Sequence, residues 1–121
     1  MDFSFSIFPK ADGFARIVRS FEQKPFPAAA EVFRTTVQVG SIRYRQCASI
    51  YVDTSGLFIR IKYIFKNFPT TFIPWSSLKE SKKSTLYGLG AIQFDFVNQS
   101  LPSIVFYEKD LQGYNFTASS Q

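Results

Sequence analysis

The chain has 121 residues, enough for one domain, with a single cysteine and no histidine. These counts exclude an internal disulfide and any catalytic or metal site that depends on histidine. The 14 basic residues outnumber the 9 acidic ones, and aromatic residues make up 18% of the sequence. Because aromatic side chains favour pleated, half-buried surfaces, this composition predicts a sheet protein with a core built largely from rings.

Residues 1–33 predict a short strand followed by one helix. Phe3, Phe5 and Ile7 alternate with serines, which is the period of a strand. From Asp12, the expected N-cap, the apolar residues are spaced as on one helix face, and the Lys-Pro-Phe-Pro segment that follows ends the helix. The residues after that segment are compatible with one more helical turn. The predicted apolar face of the helix consists of Phe14, Ile17, Val18 and Phe21.

Residues 34–108 predict a β core of short antiparallel strands. Gly40-Ser41 marks either a tight turn or a bulge between the first two of them. The segment Asp53–Gly56 is the turn of a hairpin, because an Asp side chain at its first position can accept hydrogen bonds from the turn backbone. Pro74 ends a later strand since it cannot donate to a ladder, and Trp75 is predicted to pack beneath that turn.

The last part of the predicted core is an edge segment followed by two strands. Residues 79–84 are polar and contain two lysines, which suits an edge strand or a loop. Residues 91–97 alternate as a strand, and a short turn leads to the last strand, residues 103–108. The tail, residues 109–121, contains glycine, ends in serines and is predicted to fray. The 121 residues together are predicted to form a single domain.

One helix and about seven short antiparallel strands imply a mainly β (α+β) fold, either an orthogonal sandwich or a small barrel. The segments Gly56–Ile59 and Phe72–Leu78, with Phe65 and Pro69 between them, resemble the strand and turn pattern of bacterial pleckstrin-homology-like (PH-like) domains. They resemble especially small uncharacterised bacterial proteins with a Gly-Leu hairpin and an Ile-Pro-Trp-Ser turn. The resemblance covers about residues 35–107, and it implies a fold but no catalytic residues.

Two departures from this pattern limit what the resemblance implies. Pleckstrin-homology domains close one end of the barrel with a C-terminal helix, but the tail here is a poor helix former, so the N-terminal helix is expected to take that place. Lipid-binding members hold the headgroup with basic residues on a long first hairpin loop, whereas Gly40-Ser41 leaves almost no loop. The resemblance therefore does not imply phosphoinositide binding.

The basic residues are concentrated in the middle of the chain. Between residues 34 and 66, six basic residues stand against one acid, which accounts for the whole net charge of +5. Strand alternation places Arg43 and Arg45 on one strand face, and a second basic pair alternates in the same way on the next strand, so the two strands would display a cationic stripe with aromatic neighbours. The alternative is an ordinary solvated sheet face. The candidate binding residues are Arg43, Arg45, Arg60, Lys62 and Tyr44.

Two functions of different classes fit these features. The first is a non-catalytic binding module whose basic face meets an acidic protein surface or, weakly and without headgroup specificity, an anionic membrane. The second is a structural homodimer assembled through an exposed sheet edge and surplus aromatic residues. The modest net charge and the lack of a reading element disfavour nucleic acid as a partner. An acidic N-terminal segment and a lone cysteine predict a cytoplasmic protein without a signal peptide.

The sequence does not predict an enzyme, and no cofactor or metal is expected. Ser76 and Ser77 near Lys79 match a Ser-Lys dyad only in spacing, whereas such dyads are defined by geometry. The glycine-rich segment at residues 87–90 is followed by an alternating strand, so it lacks the helix that a phosphate-binding loop requires. Cys47 is expected to act as a small core residue, because no histidine is present to activate its thiol.

Overall fold

The computed structural model describes residues 13–28, 30, 32–63 and 66–111. This part of the chain contains one helix, here α1, whose described residues are 13–20, and nine strands. Two short 3-10 turns, Trp75–Ser77 and Glu108–Leu111, follow the sixth and the ninth strands. The strands are β1 (Glu22–Gln23), β2 (Phe33–Val39), β3 (Ile42–Val52), β4 (Gly56–Tyr63), β5 (Lys66–Asn67), β6 (Thr71–Pro74), β7 (Leu78–Leu86), β8 (Leu89–Phe96) and β9 (Ile104–Tyr107).

The strands form one antiparallel sheet in the order β1-β6-β4-β3-β2-β9-β8-β7, with β5 beside β4. Five strands lie between β6 and β7, although only Trp75–Ser77 connects these two strands in the chain. Such a connection spans about 14 Å at most, whereas a flat sheet would hold β6 and β7 about 29 Å apart. The sheet must therefore curl until its two sides approach each other, and it stays open because β6 and β7 do not pair within the described residues. The prediction of a mainly β fold with one short helix is confirmed.

The predicted hairpin at Asp53–Gly56 is confirmed, and it joins β3 to β4. The Asp53 carboxylate accepts hydrogen bonds from the backbone amides of Ser55 and Gly56, at 2.9 and 3.2 Å. A Cβ at Gly56 would collide with the backbone carbonyl oxygen of Ile73 on β6, so only glycine fits at this position. Trp75 is partly buried, and its ring centroid lies 6.0 Å from that of Phe94, which agrees with the predicted packing below the end of β6.

The connection between β2 and β3 is a tight turn. Val39 pairs with Ile42, and Gly40 has a φ of +60°, as a two-residue turn with glycine in its first central position requires. A bulge, the other alternative for Gly40, does not occur at that residue. It occurs farther along the same ladder, where the register shifts between Thr35 and Val37. On β3 the shift is accompanied by a positive φ at Gln46, whose backbone amide donates to the Thr36 hydroxyl.

Helix α1 packs into the core with the apolar face that the sequence predicts. Phe14 and Ile17 are fully buried, and the Phe14 ring meets the ring of Phe68 edge to face at 5.0 Å. Phe21, just beyond the helix, stacks 5.5 Å from Phe96 of β8. Helix α1 and Phe21 therefore link the segment between β5 and β6, which contains Phe68, to strand β8, which contains Phe96. Within the described residues no helix is long and apolar enough to cross a bilayer.

Several predicted boundaries differ from those in the structure. The helix ends at residue 20, before the Lys-Pro-Phe-Pro segment, because residues 22–23 pair with β6. The optional helical turn after this segment does not form over its described residues, where the Ala30 amide bonds to the Pro27 carbonyl oxygen and Phe33 begins β2. The predicted first strand, its Asp12 cap and the tail after residue 111 lie outside the described residues.

Candidate basic and aromatic surface

The sheet carries a small apolar cluster on the face that points away from the main core. Along β8 the residues Ile92, Phe94 and Phe96 belong to the main core, so the alternating residue Ala91 points to the opposite face. The same alternation on β9 turns Val105 and Tyr107 outward. We call this second group the outer cluster, and it consists of Leu86, Ala91, Val105 and Tyr107, all buried.

A cross-strand row connects the outer cluster to β3. Arg43 pairs with Gln38 of β2, Gln38 pairs with Val105 of β9, and Val105 pairs with Gln93 of β8. Residues directly opposite each other in neighbouring strands share a face of the sheet. Arg43 therefore lies on the same outer face as Val105, and strand alternation places Arg45 there as well.

Arg43 and Arg45, here called the basic pair, both contact one exposed ring. Their guanidinium carbons lie 4.7 and 5.4 Å from the ring centroid of Tyr87, which is 46% exposed. A guanidinium within about 6 Å of a ring centroid is attracted by the ring quadrupole. The Nε atom of Arg43 also donates a 3.0 Å hydrogen bond to the side-chain oxygen of Gln38. The two guanidiniums are thus oriented by their neighbours while they remain exposed.

Tyr87 occupies an unusual backbone position for a tyrosine. With Gly88 it forms the two-residue turn between β7 and β8, and both residues have positive φ values, +52° and +77°. Type I′ turns require this conformation and normally use Asn, Asp or Gly at the first position. A tyrosine in this region is strained, and such strain is more frequent at functional positions than elsewhere in a protein.

Lys109 adds a third cation to the same side of the sheet. Its Nζ atom lies 5.3 Å from the ring centroid of Tyr107, a member of the outer cluster. Among the described residues the only ion pair joins Lys82 to Asp95, at 2.9 Å. No described carboxylate therefore lies within salt-bridge distance of the basic pair or of Lys109.

The structure separates the other predicted basic residues from the basic pair. Within β3, only residues 48–52 pair with β4. Arg60 of β4 therefore stands opposite Ser49 and not opposite Arg45. The Arg60 guanidinium lies over the ring of Phe26, at 5.4 Å, and Lys62 is exposed beside β5. The four residues therefore form two groups and not one continuous stripe.

The inclusion of Tyr44 among the surface residues is corrected by the structure. Tyr44 is only 5% exposed, and its ring packs between those of Phe14 and Tyr63, with centroids 6.3 and 5.7 Å away. Alternation along β3 turns its side chain inward, opposite to that of its neighbours Arg43 and Arg45. The aromatic ring beside Arg43 and Arg45 on the surface is that of Tyr87 and not that of Tyr44.

Sequence reasoning missed Tyr87 and Lys109 for different reasons. The signal for Tyr87 was its place before Gly88 between two leucines, the two-residue turn of a hairpin, which exposes the first turn residue. Its contact with Arg43 joins residues far apart in the sequence and depends on the curl of the sheet. Lys109 carried no signal of its own, because its position over Tyr107 depends on the 3-10 turn after β9.

A second polar group surrounds Asp95 on β8, and its geometry favours a structural role. The Asp95 carboxylate accepts hydrogen bonds from the Ser103 hydroxyl at 2.6 Å and from the Gln93 amide at 2.9 Å, in addition to its ion pair with Lys82. The bond from Ser103, followed by those from Lys82 and Gln93, holds the pKa of Asp95 well below its usual range. A carboxylate that stays ionised at all ordinary pH values is a poor general acid or base.

Other chemical groups in the described residues offer little for catalysis. Cys47 is partly buried on β3, and this burial raises the pKa of its thiol although the charge of Arg34 acts in the opposite direction. A raised pKa disfavours the reactive thiolate. No group of three or more acidic or cysteine side chains that could hold a metal ion occurs in the described part of the chain.

Comparison with known proteins gives no match. No protein-family model matches the chain, and neither the curated proteins nor the solved structures contain a significant match to it.

Proposed function

We propose that this chain is a non-catalytic binding module with a PH-like fold, whose basic outer face binds an acidic partner surface. The observation that carries the proposal is the basic pair over Tyr87. Arg43 and Arg45 contact the same exposed ring at 4.7 and 5.4 Å, and no described carboxylate lies within salt-bridge distance of them. This combination is suited to recognising carboxylates or other anions, since the planar guanidinium binds an oxyanion through two parallel hydrogen bonds.

The arrangement of the basic pair favours binding over simple solvation. Long basic side chains on a solvated face usually keep their rotamer freedom, and a partner that binds them must restrict it. Here the Tyr87 ring restrains both guanidiniums, and Gln38 also holds Arg43 through its Nε atom. The two arginine side chains therefore lose less conformational entropy when a partner binds than unrestrained side chains would.

The PH-like part of the proposal rests on the sequence resemblance, with which the coarse fold is compatible. Leaving aside the two-residue strands β1 and β5, seven antiparallel strands make up a curled sheet, and β7 to β9 continue the order from β2. Helix α1 and the residue that follows it pack into the core, with Phe14 against Phe68 and Phe21 against Phe96. A mainly β fold with one short helix is the part of the resemblance that these features share.

A charge-reversal pair with a matched control tests the proposed function. Arg43→Glu combined with Arg45→Glu changes the net charge as much as Lys62→Glu combined with Lys66→Glu, which alters two exposed lysines, one on β4 and one on β5. Fluorescein-labelled poly-glutamate serves as the acidic probe, and fluorescence anisotropy is measured at low salt and at about 0.15 M salt. We expect the arginine variant to lose at least about tenfold in affinity, while the lysine variant changes little.

The same experiment distinguishes a specific surface from overall charge. Equal losses in the two double variants would mean that net charge alone drives binding, and the proposal would fail. No binding of the probe to the native chain at low salt would have the same consequence. Circular dichroism of both variants checks that each is folded, since all four side chains are exposed and their replacement should cost little stability.

The homodimer alternative receives less support from the described residues. Strand β7 lies at the end of the strand order, so its outer edge would be the natural place for a second copy to pair. That strand carries three exposed lysines, Lys79, Lys82 and Lys83, and lysines on an edge oppose pairing between strands. Sedimentation equilibrium over a range of protein concentrations checks this alternative directly.

A further inference from the structure

The hairpin between β7 and β8 exposes two large apolar side chains beside the basic pair. Tyr87 is 46% exposed and Leu89, on the other side of the two-residue turn, is 53% exposed. Alternation along β8 places Leu89 on the same outer face as Ala91, a member of the outer cluster. The Tyr87 ring lies against both guanidiniums, so the basic pair and the apolar side chains of this hairpin are neighbours on the outer face. We call this group the mixed patch, and it consists of Arg43, Arg45, Tyr87 and Leu89.

We propose that the mixed patch binds a polypeptide segment in which carboxylates stand beside an apolar side chain. This inference rests on the proposed function and names its partner class. The carboxylates would meet the two guanidiniums, and the apolar side chain would cover the exposed parts of Leu89 and Tyr87. Rings and arginines are the side chains that contribute most often to the energetic centre of protein interfaces.

An anionic bilayer fits this surface less well. Segments that bind anionic lipids typically carry about four to eight clustered basic residues, whereas the mixed patch has two. Lys109 on the same side of the sheet raises the number of cations to three, which is still below that range.

A second copy of the chain also fits poorly. A two-fold symmetric contact presents the same patch from both sides, so it would bring four guanidiniums together. Within the described residues no carboxylate lies within salt-bridge distance of these arginines to offset the repulsion. Charge complementarity therefore favours an acidic polypeptide as the occupant.

Two labelled peptides of equal length and charge test the inference by anisotropy. One alternates glutamate with phenylalanine, and the other alternates glutamate with serine. We expect the phenylalanine peptide to bind the native chain about tenfold more tightly, since it also buries apolar surface. Leu89→Thr should weaken the phenylalanine peptide about three- to tenfold and leave the serine peptide unchanged, because threonine keeps the strand preference but removes most of the apolar side chain.

Val97→Thr is the matched control. Val97 is 57% exposed near the end of β8, so its replacement removes an exposed apolar side chain of similar kind outside the mixed patch. We expect this variant to bind both peptides as the native chain does. Circular dichroism confirms that both variants are folded, and an equal loss in Val97→Thr would overturn the assignment of the patch.

The remaining outcomes separate this inference from the proposed function. Equal binding of the two peptides, with loss in the arginine double variant, would overturn the inference and leave the proposed function standing. No binding of either peptide would overturn both. Tighter binding to phosphatidylserine vesicles than to the phenylalanine peptide, sensitive to Leu89→Thr, would identify a membrane as the partner and overturn the inference. Self-association that Leu89→Thr abolishes would identify a second copy and overturn it equally.

Discussion

The indole Nε1 of Trp75 donates a 2.9 Å hydrogen bond to the backbone carbonyl oxygen of Asp53, 22 residues earlier in the chain. The backbone amide of Trp75 also donates to the carbonyl oxygen of Ser55, at 3.3 Å. These bonds fasten the end of β6 to the turn between β3 and β4. The short connection from β6 to β7 therefore begins at a residue that two hydrogen bonds hold in place. This helps to keep β6 and β7 close together in the curled sheet.

Trp75→Phe removes the indole donor and keeps an aromatic ring. We expect it to lower the free energy of unfolding by about 1 kcal/mol, the usual net contribution of one hydrogen bond. Urea denaturation followed by far-ultraviolet circular dichroism measures the change. Ser76→Ala, at the exposed next position, is the control and should shift stability by less than about 0.5 kcal/mol. Equal stability of Trp75→Phe and the native chain would show that the bond does not contribute.

Ile17→Asp tests whether helix α1 is part of the core. Ile17 is fully buried, so the variant places a carboxylate without a partner among apolar side chains. We expect a loss of about 3 kcal/mol or more in the free energy of unfolding. Arg19→Asp on the exposed side of the same helix should cost much less. An unchanged melting temperature in Ile17→Asp would mean that the helix is peripheral to the fold.

Asp95 should make stability depend on pH. Its pKa is lowered in the folded chain, by the hydrogen bond from Ser103 first and then by Lys82 and Gln93, relative to about 3.9 in the unfolded chain. Its contribution is therefore complete above about pH 5 and is lost as the pH falls below about 4, because the unfolded chain then binds a proton more readily.

The Asp95→Asn variant isolates this contribution. We expect the difference in unfolding free energy between the native chain and the variant to be largest near neutral pH and to shrink on acidification. Urea denaturation of both proteins at a series of pH values measures it. Added salt should reduce the part that depends on Lys82, whose side chain is 62% exposed. A difference that does not change with pH would contradict the expected titration.

Local chemistry accounts for the parts of the fold that the sequence predicted well. The Asp53 turn, the end of β6 at Pro74 and the apolar face of α1 each depend on residues close together in the chain. Short-range rules of turn and helix geometry are sufficient for such features.

The candidate site could be predicted only in part, because it depends on contacts between distant residues. Alternation correctly placed Arg43 and Arg45 together on one face and Tyr44 on the other, but it could not show which face the core would cover. The shift of register at Gln46 and the limited pairing of β3 with β4 separate Arg60 from this pair. The turn sets the register of a hairpin, but no local pattern in this sequence marks the shift inside the β2–β3 ladder.

Tyr87→Asn tests whether the tyrosine is retained for binding at a cost in stability. Asparagine tolerates the positive φ of this turn position much better than tyrosine does, so the hairpin itself should become more stable. The variant also loses two exposed cation–π contacts, worth about 0.5 to 1 kcal/mol each at most. We therefore expect an unfolding free energy within about 1 kcal/mol of the native value, together with weaker binding of the acidic peptides.

Gly88→Ala is the control that measures the cost of a positive φ in this turn. An added Cβ there meets no atom within 4 Å, but the alanine must adopt the same positive φ, at a cost of about 1 kcal/mol. Unchanged peptide binding in Tyr87→Asn would remove the ring from the binding surface, whereas a large loss of stability would mean that the ring holds the hairpin against β3.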